Sequence, residues 1–256
     1  MADEFMTHRS VEGPRVSLIT PTYERRAFLE ASHRCVSAQT YRNWEWLILD
    51  DSAEPCRFLQ HADARNIHYA HVSSRLSIGE KRNKLIEAAS GEIIVQIDDD
   101  DYYAPQYVQA MVAALHGGAD IVNLNAWFLL DRRNHFFGYW DLLMRDKPSY
   151  RCSPDAIELV TPTLALAHDL SEAHFGFGFT YAFWRRVWEA GRFPDKNWNE
   201  DGEFVAAARR RFTMVGAPDR QGLCLHVIHA GNSSRCFPQY RLPYFLVERF
   251  FPGYSG

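Results

Sequence analysis

Apolar positions in the first hundred residues come in short unbroken runs rather than in alternation. Val16-Ser17-Leu18-Ile19-Thr20 closes at Pro21, Trp44 to Leu49 ends in Asp50-Asp51-Ser52, and Ile93-Ile94-Val95-Gln96-Ile97 ends in Asp98-Asp99-Asp100-Asp101. Such runs with abrupt polar ends fit parallel strands covered on both faces. Ile67 to Val72 supplies a further strand, Arg25 to Gln39 has helical character, and Gly79 to Ala89 reads as a helix whose end is marked by Gly91. Strand, helix, strand, strand, helix, strand predicts an α/β sheet. Parallel strands bring their carboxyl ends to one edge, so Asp50 and Asp51 fall beside the tetrad in one crevice.

Later segments carry weaker patterns. Leu223 to His229 reads as an apolar strand leading into Ala230-Gly231-Asn232-Ser233-Ser234. Asn125 to Phe183 is dense in aromatics (Trp127, Phe128, Phe136, Phe137, Tyr139 and Trp140), whose default role is core packing. Asp131 to Asp155 shows no clear period and predicts a long irregular lid that orders on ligand binding. The run Phe237 to Phe251 mixes aromatics with arginine and prolines; it is expected to pack on the sheet, with a lipid surface as the alternative.

At 256 residues, with 46% apolar and 14% aromatic content, the chain can bury one large core. Its net charge of −4 and scattered basic residues exclude a nucleic-acid footprint. The five cysteines, Cys35, Cys56, Cys152, Cys224 and Cys236, have no paired spacing and read as reduced thiols. Residues 1–14 are polar and expected to be flexible. They lack a signal-peptide core, and no later segment approaches the ~20 apolar residues of a membrane span. A cytoplasmic protein is expected, with room for peripheral contact at the inner membrane face.

Four successive carboxylates at a strand end need neutralising. A divalent cation carrying an anionic ligand does this, although many short acidic runs are only solvated turns. No Walker or dinucleotide glycine loop is present, which disfavours ATPases and dehydrogenases, and the D-x-D-x-D-G spacing of a calcium loop is absent.

Five segments in order, V-S-L-I-T-P-T-Y-E, Q-T-Y-R-N-W-E, L-D-D-S, I-G-E-K-R-N and G-E-I-I-V-Q-I-D-D-D-D-Y-Y-A-P, resemble the nucleotide-binding half of a family 2 glycosyltransferase of GT-A fold. The resemblance covers Arg15 to Met111 and is thinner beyond. It implies a Rossmann-like nucleotide-sugar-binding part over residues 15–115, fused to an acceptor-binding part over 116–256.

Carried over position by position, the resemblance implies that Thr20, Pro21 and Tyr23 line the nucleotide base and that Asp51 accepts from its imide N–H, which favours uracil. Arg82 and Asn83 would approach the nucleotide. Asp98 and Asp100 match the outer residues of a DXD motif, with Asp100 the direct ligand of Mn²⁺ or Mg²⁺, Asp98 nearer the ribose or the metal's waters, and Asp99 and Asp101 in support. His229 would lie near diphosphate and metal as a further ligand, while His226 is assigned to structure. Glu200-Asp201 resembles the family's E-D motif, with Asp201 the base and Glu200 in reserve; acids in a first helical turn also simply oppose the helix dipole. The glycines of Phe175-Gly176-Phe177-Gly178-Phe179 would permit close backbone approach to donor or acceptor, Gly178 above all.

The implied reaction is an inverting, metal-dependent transfer from a nucleotide-sugar, a UDP-sugar, to a saccharide, lipid-linked or other hydroxyl acceptor. The rivals are a sugar-phosphate nucleotidyltransferase and a binding module without turnover. The first wants a glycine-rich, arginine-containing loop where T-P-T-Y-E-R-R stands, and the second needs no base.

Overall fold

Strands β1 (Val16–Thr22), β2 (Trp44–Asp50), β3 (Ile67–His71) and β4 (Ile93–Gln96) lie parallel, in the order β4-β1-β2-β3. They belong to a computed structural model that describes residues 13–60, 65–144, 146–153, 156–161, 163, 177–232 and 236–254. Residues 1–12, in the segment expected to be flexible, and Gly176 lie outside these. Pro21 falls inside β1 instead of closing it. The N–H it lacks would face β4, whose ladder with β1 stops at Ile19 and Gln96, so no sheet bond is lost.

Helix α1 (Arg26–Ser37) buries Leu29, Ser32, Cys35 and Val36. A one-turn helix α2 (Arg57–Gln60) precedes β3. Helix α3 (Ile78–Ala88) starts where the Ser77 hydroxyl accepts from the Glu80 N–H at 3.0 Å, a serine N-cap with glutamate three residues on. On α3, Gly79 approaches the 194–197 segment so closely that a Cβ there would stand 1.9 Å from the Pro194 carbonyl oxygen, while its N–H donates to Lys196 O at 3.1 Å. This contact seats α3 against the chain that leads into the Glu200-Asp201 pair.

After the tetrad come the two-residue strand β5 (Tyr102–Tyr103), helix α4 (Tyr107–His116) and strand β6 (Ile121–Asp131), buried along all eleven residues. Strand β7 (Phe136–Asp141) folds back on β6. The expected irregular lid over Asp131 to Asp155 is therefore not found: β7, a 3₁₀ turn at Leu142–Met144 and the hairpin of β8 (Ser149–Cys152) and β9 (Ile157–Val160) take most of it. Asp131 makes the turn by accepting from the Asn134 N–H (3.0 Å) and Nδ2 (2.7 Å). The buried rings of Phe136, Phe137 and Trp140 hold β7 in place, each stabilising by about 1.5–3 kcal/mol.

Strand β10 (Ala182–Trp184) runs antiparallel between β4 and β6 and so joins both halves into one eleven-stranded sheet. Helix α5 (Arg185–Glu189) follows it, then α6 (Glu200–Ala208) and β11 (Met214–Pro218). Strand β12 (Cys224–Ile228) pairs with β5 and β6. As expected, the C-terminal run packs on the sheet: β13 (Tyr240–Leu242) pairs with β7, and after α7 (Leu246–Phe250) the rings of Phe250 and Phe251 lie 4.8 and 5.5 Å from Phe128. All five cysteines are buried free thiols. No helix among the described residues is long and apolar enough to cross a membrane.

Candidate active site

The carboxyl ends of β1, β2 and β4 meet at one edge, and each of them delivers acids or their partners. Asp51, just past β2, is fully shielded. Its Oδ1 accepts from Lys81 Nζ at 2.7 Å, and its Oδ2 accepts from Arg75 at 2.6 Å and the Leu76 N–H at 2.8 Å. Burial opposes its charge, but the Leu76 N–H and the Lys81 ammonium outweigh that and lower its pKa. Arg75 also lies over the half-exposed ring of Tyr23, 3.4 Å from its centroid. Tyr23 and Asp51 thus sit side by side, with one guanidinium on both.

The tetrad splits into four environments. Asp98 keeps about a third of its side chain exposed, 3.9 Å from Arg82. Asp99 is buried beneath Thr22, whose hydroxyl donates to it, and burial pushes its pKa up to about 6 against Arg25 and Thr22. Asp100 accepts from Arg25 and from His229 Nε2, the latter at 2.9 Å. Asp101 turns inward to the His226 ring (2.9 Å) and the Val227 N–H (2.9 Å). Burial works against a charged His226, but Asp101 holds it well above its usual range, which fits the structural role expected of it.

One carboxylate oxygen each from Asp98, Asp100 and Asp101 lies within 4.8 Å of the others. An all-oxygen donor set of this kind suits Mg²⁺ or Mn²⁺, which keep several waters and need one or two protein carboxylates. Asp101 is the buried member, turned inward to His226 and Val227, while Asp98 and Asp100 are the two that reach the surface and fit such an ion. His229 is arranged differently from its expected ligand role. The Gly231 N–H donates to Nδ1 at 3.1 Å, which leaves the proton of the neutral ring on Nε2, where it donates to Asp100. Burial and the nearby Arg25 lower the His229 pKa, and its ring stacks on Phe28 at 4.8 Å. His229 therefore presents Asp100 with a proton, not a lone pair.

Glu200 and Asp201 open α6, yet they face different surroundings. Glu200 is buried and ion-paired with the buried Arg82; burial raises its pKa against that cation. Asp201 stays partly exposed and accepts from two backbone N–H groups, Gly178 at 2.7 Å through Oδ2 and Gly202 at 2.7 Å through Oδ1. Gly178 is required here, because a Cβ would stand 2.5 Å from Asp201 Oδ2. The close approach expected of this glycine is thus made to the carboxylate of Asp201. Arg82 links the two clusters, bonded to Glu200 and facing Asp98.

Several expected nucleotide contacts fall elsewhere. Thr20 is wholly buried, donating to Ile97 O at 2.7 Å and accepting from Trp46 Nε1 at 2.9 Å, so it braces β1 against β4 and β2 without lining the crevice. Asn83 ties α3 to α5 and the chain beyond it through Phe193 O (2.9 Å), Trp188 Nε1 (2.9 Å) and the Phe193 N–H (3.1 Å). Arg82 faces the acids. The cations Arg25, Arg75 and Lys81 were not singled out from sequence; the two arginines of T-Y-E-R-R and S-S-R-L carry no pattern beyond their place directly after strands.

A crevice of paired acids and cations at the carboxyl edge of a parallel sheet, continued by an antiparallel half, belongs to an α/β protein of GT-A fold. The description "Glycosyl transferase family 2" matches residues 17–166, more than half of the chain, and the protein belongs to that family.

Among its relatives, the chain is 34% identical over 104 residues to a putative colanic acid biosynthesis glycosyl transferase of Escherichia coli K12, covering 39% of this chain and 37% of that protein. It is 30% identical over 122 residues to the E. coli UDP-Glc:alpha-D-GlcNAc-diphosphoundecaprenol beta-1,3-glucosyltransferase, covering 43% and 48%. The matched part thus spans between about a third and a half of each. The fold resembles S. aureus TarS 1–349 in complex with UDP-GlcNAc (TM-score 0.63, 16% identity, 85% of this chain and 60% of that one). It also resembles a Pyrobaculum calidifontis mannosyltransferase in complex with GDP-Man and Mn²⁺ (TM-score 0.57, 18% identity, 86% and 58%).

Proposed function

We propose that this protein transfers a sugar from a nucleoside-diphosphate sugar, a UDP-sugar, to an acceptor hydroxyl with inversion of the anomeric carbon. One observation carries the reading: a partly exposed carboxylate, Asp201, is held by backbone N–H groups beside Glu200, whose buried partner Arg82 faces Asp98 of the tetrad. On this reading the base and the diphosphate site are neighbours. Relatives and structural neighbours named for UDP-Glc, UDP-GlcNAc and GDP-Man support a nucleotide-sugar donor for this chain. A lipid-linked saccharide is the acceptor class we favour, since two relatives are named for undecaprenol-linked substrates; peripheral contact with a membrane surface would follow from it.

Asp201 takes the proton of the acceptor hydroxyl as its oxygen attacks the anomeric carbon from the face opposite the diphosphate. Positioning matters more than ground-state basicity, because the hydroxyl becomes acidic only as the bond forms. The two N–H donors fix the carboxylate while leaving lone pairs for the incoming proton. Glu200 stays paired with Arg82 and so cannot turn to the acceptor without uncovering a buried cation. Tyr23 would offer a base the ring face that Arg75 now covers, once that guanidinium moves. Asp51 would accept the imide N–H of uracil only by exchanging Arg75 for it. Asp98 and Asp100 would hold a divalent ion, Mg²⁺ or Mn²⁺, which would supply positive charge for the leaving diphosphate. His229 orients Asp100.

The test is binding and turnover across UDP-, GDP- and dTDP-sugars with Mn²⁺, Mg²⁺ or chelator, together with the anomeric configuration of the product by NMR. The expected result is chelator-sensitive use of one UDP-sugar with inverted product. Binding of no nucleotide-sugar under any condition, or a retained configuration, contradicts the reading.

A further inference from the structure

Arg25 carries a cation into the place where the reading above puts one. It precedes α1 and follows Glu24, whose backbone is left-handed (φ 52°), unusual for a non-glycine residue. That turn is pinned to the end of β2 twice: the Glu24 N–H donates to Ser52 Oγ at 2.7 Å, and the Glu24 carboxylate accepts from the Ala53 N–H at 2.8 Å. From this anchored position the guanidinium spans the tetrad. Its Nη1 donates to Asp100 Oδ2 and lies 3.5 Å from Asp99 Oδ1, and its Nη2 donates to Gly231 O at 2.9 Å. The side chain stays 26% exposed.

Asp100 is nearly buried and cannot remain charged without a partner. Arg25 supplies that partner now. A divalent ion arriving on Asp100 brings like charge against the guanidinium, so whichever cation holds the carboxylate excludes the other. The group best matched to a released guanidinium in such a crevice is a diphosphate, which it grips through two parallel N–H donors.

We infer that Arg25 is an exchangeable counter-ion of the donor site: it holds Asp100 while no divalent ion is bound and turns to the diphosphate when the ion takes Asp100. The inference rests on the metal-dependent reading above and adds the residue through which ion and nucleotide binding are coupled. Each ligand favours the other because both use the state in which Arg25 has left Asp100.

Titration of Mn²⁺ followed by the EPR signal of the free ion, with and without UDP, tests this on the wild type, Arg25→Met and Arg25→Lys. Without UDP, Arg25→Met is expected to bind Mn²⁺ about tenfold more tightly than the wild type, since one neighbouring charge is removed. With Mn²⁺ saturating, its affinity for UDP is expected to fall about tenfold. Arg25→Lys, which keeps the charge, stays near the wild type in the first measurement. Arg25→Gln, neutral and able to keep a hydrogen bond to Gly231 O, gives the same reading should the methionine variant not fold. Mn²⁺ binding that depends on Asp100 but is no tighter in the neutral variants overturns this inference alone. A wild type that binds no Mn²⁺, with or without UDP, overturns the metal-dependent reading and this inference together.

Discussion

The tetrad at the end of β4 and the Glu200-Asp201 pair at the start of α6 are both short acidic runs, yet the protein treats them oppositely. Around the tetrad nearly every carboxylate is answered by a side chain: Thr22 on Asp99, Arg25 and His229 on Asp100, His226 on Asp101. Of the pair at α6, Glu200 is answered that way, while Asp201 is held by two backbone N–H groups. On the proposed function, movable donors suit a site that exchanges its partners for a metal ion and a diphosphate. Fixed backbone donors suit a carboxylate that must keep one position and accept one proton. Identical residue types thus divide into carboxylates held by side chains and one held by backbone.

The comparison breaks first at Asp100. Asp100→Ala is expected to lower turnover by about 10³-fold, because several kcal/mol of leaving-group stabilisation goes with the ion, and Mn²⁺ titration should show its loss. Next is the link between the clusters. Arg82→Met strands a buried Glu200 and is expected to cost about 3–5 kcal/mol, read as a lower Tm, and adding Glu200→Gln should recover part of it. Sharper but smaller is Gly178→Ala. The new Cβ must push Asp201 aside, lowering kcat about tenfold with little change in donor affinity; equal losses in both would place Asp201 in donor binding.

Glu45 serves as the control outside both clusters. Burial opposes its charge, but bonds from Ser17, Ser90 and Arg15 hold its pKa down to about 2. With a folded pKa below the unfolded value, its contribution is present above about pH 4.5 and lost as pH falls toward 2. Chemical denaturation between pH 5 and 2.5 should show that slope in the wild type and a flatter one in Glu45→Gln.

Much of this was legible in the chain because parallel strands write themselves as apolar runs, and their polar ends mark the crevice. Asp51 and the tetrad stand at such ends, whereas Glu200-Asp201 opens helix α6. The counter-cations were hidden: Lys81 lies thirty residues from Asp51 and Arg25 seventy-five from Asp100, and only the sheet brings each pair together. Thr20 was misplaced because a hydroxyl at a strand end can turn either to solvent or to Ile97 O and Trp46, and sequence does not say which. Residues 131–155 read as irregular because F-F-G-Y-W lacks alternation; β7 is buried on several sides, so period two never appears.

The most direct test of the division between the two clusters is the rate of the chemical step, from a preformed donor complex, in Asp201→Asn and in Glu200→Gln. The account predicts that Asp201→Asn binds the donor like the wild type but transfers about 10²–10⁴-fold more slowly, and that Glu200→Gln retains the greater part of the rate. Near-normal transfer by Asp201→Asn, or loss of donor binding in that variant, would contradict it.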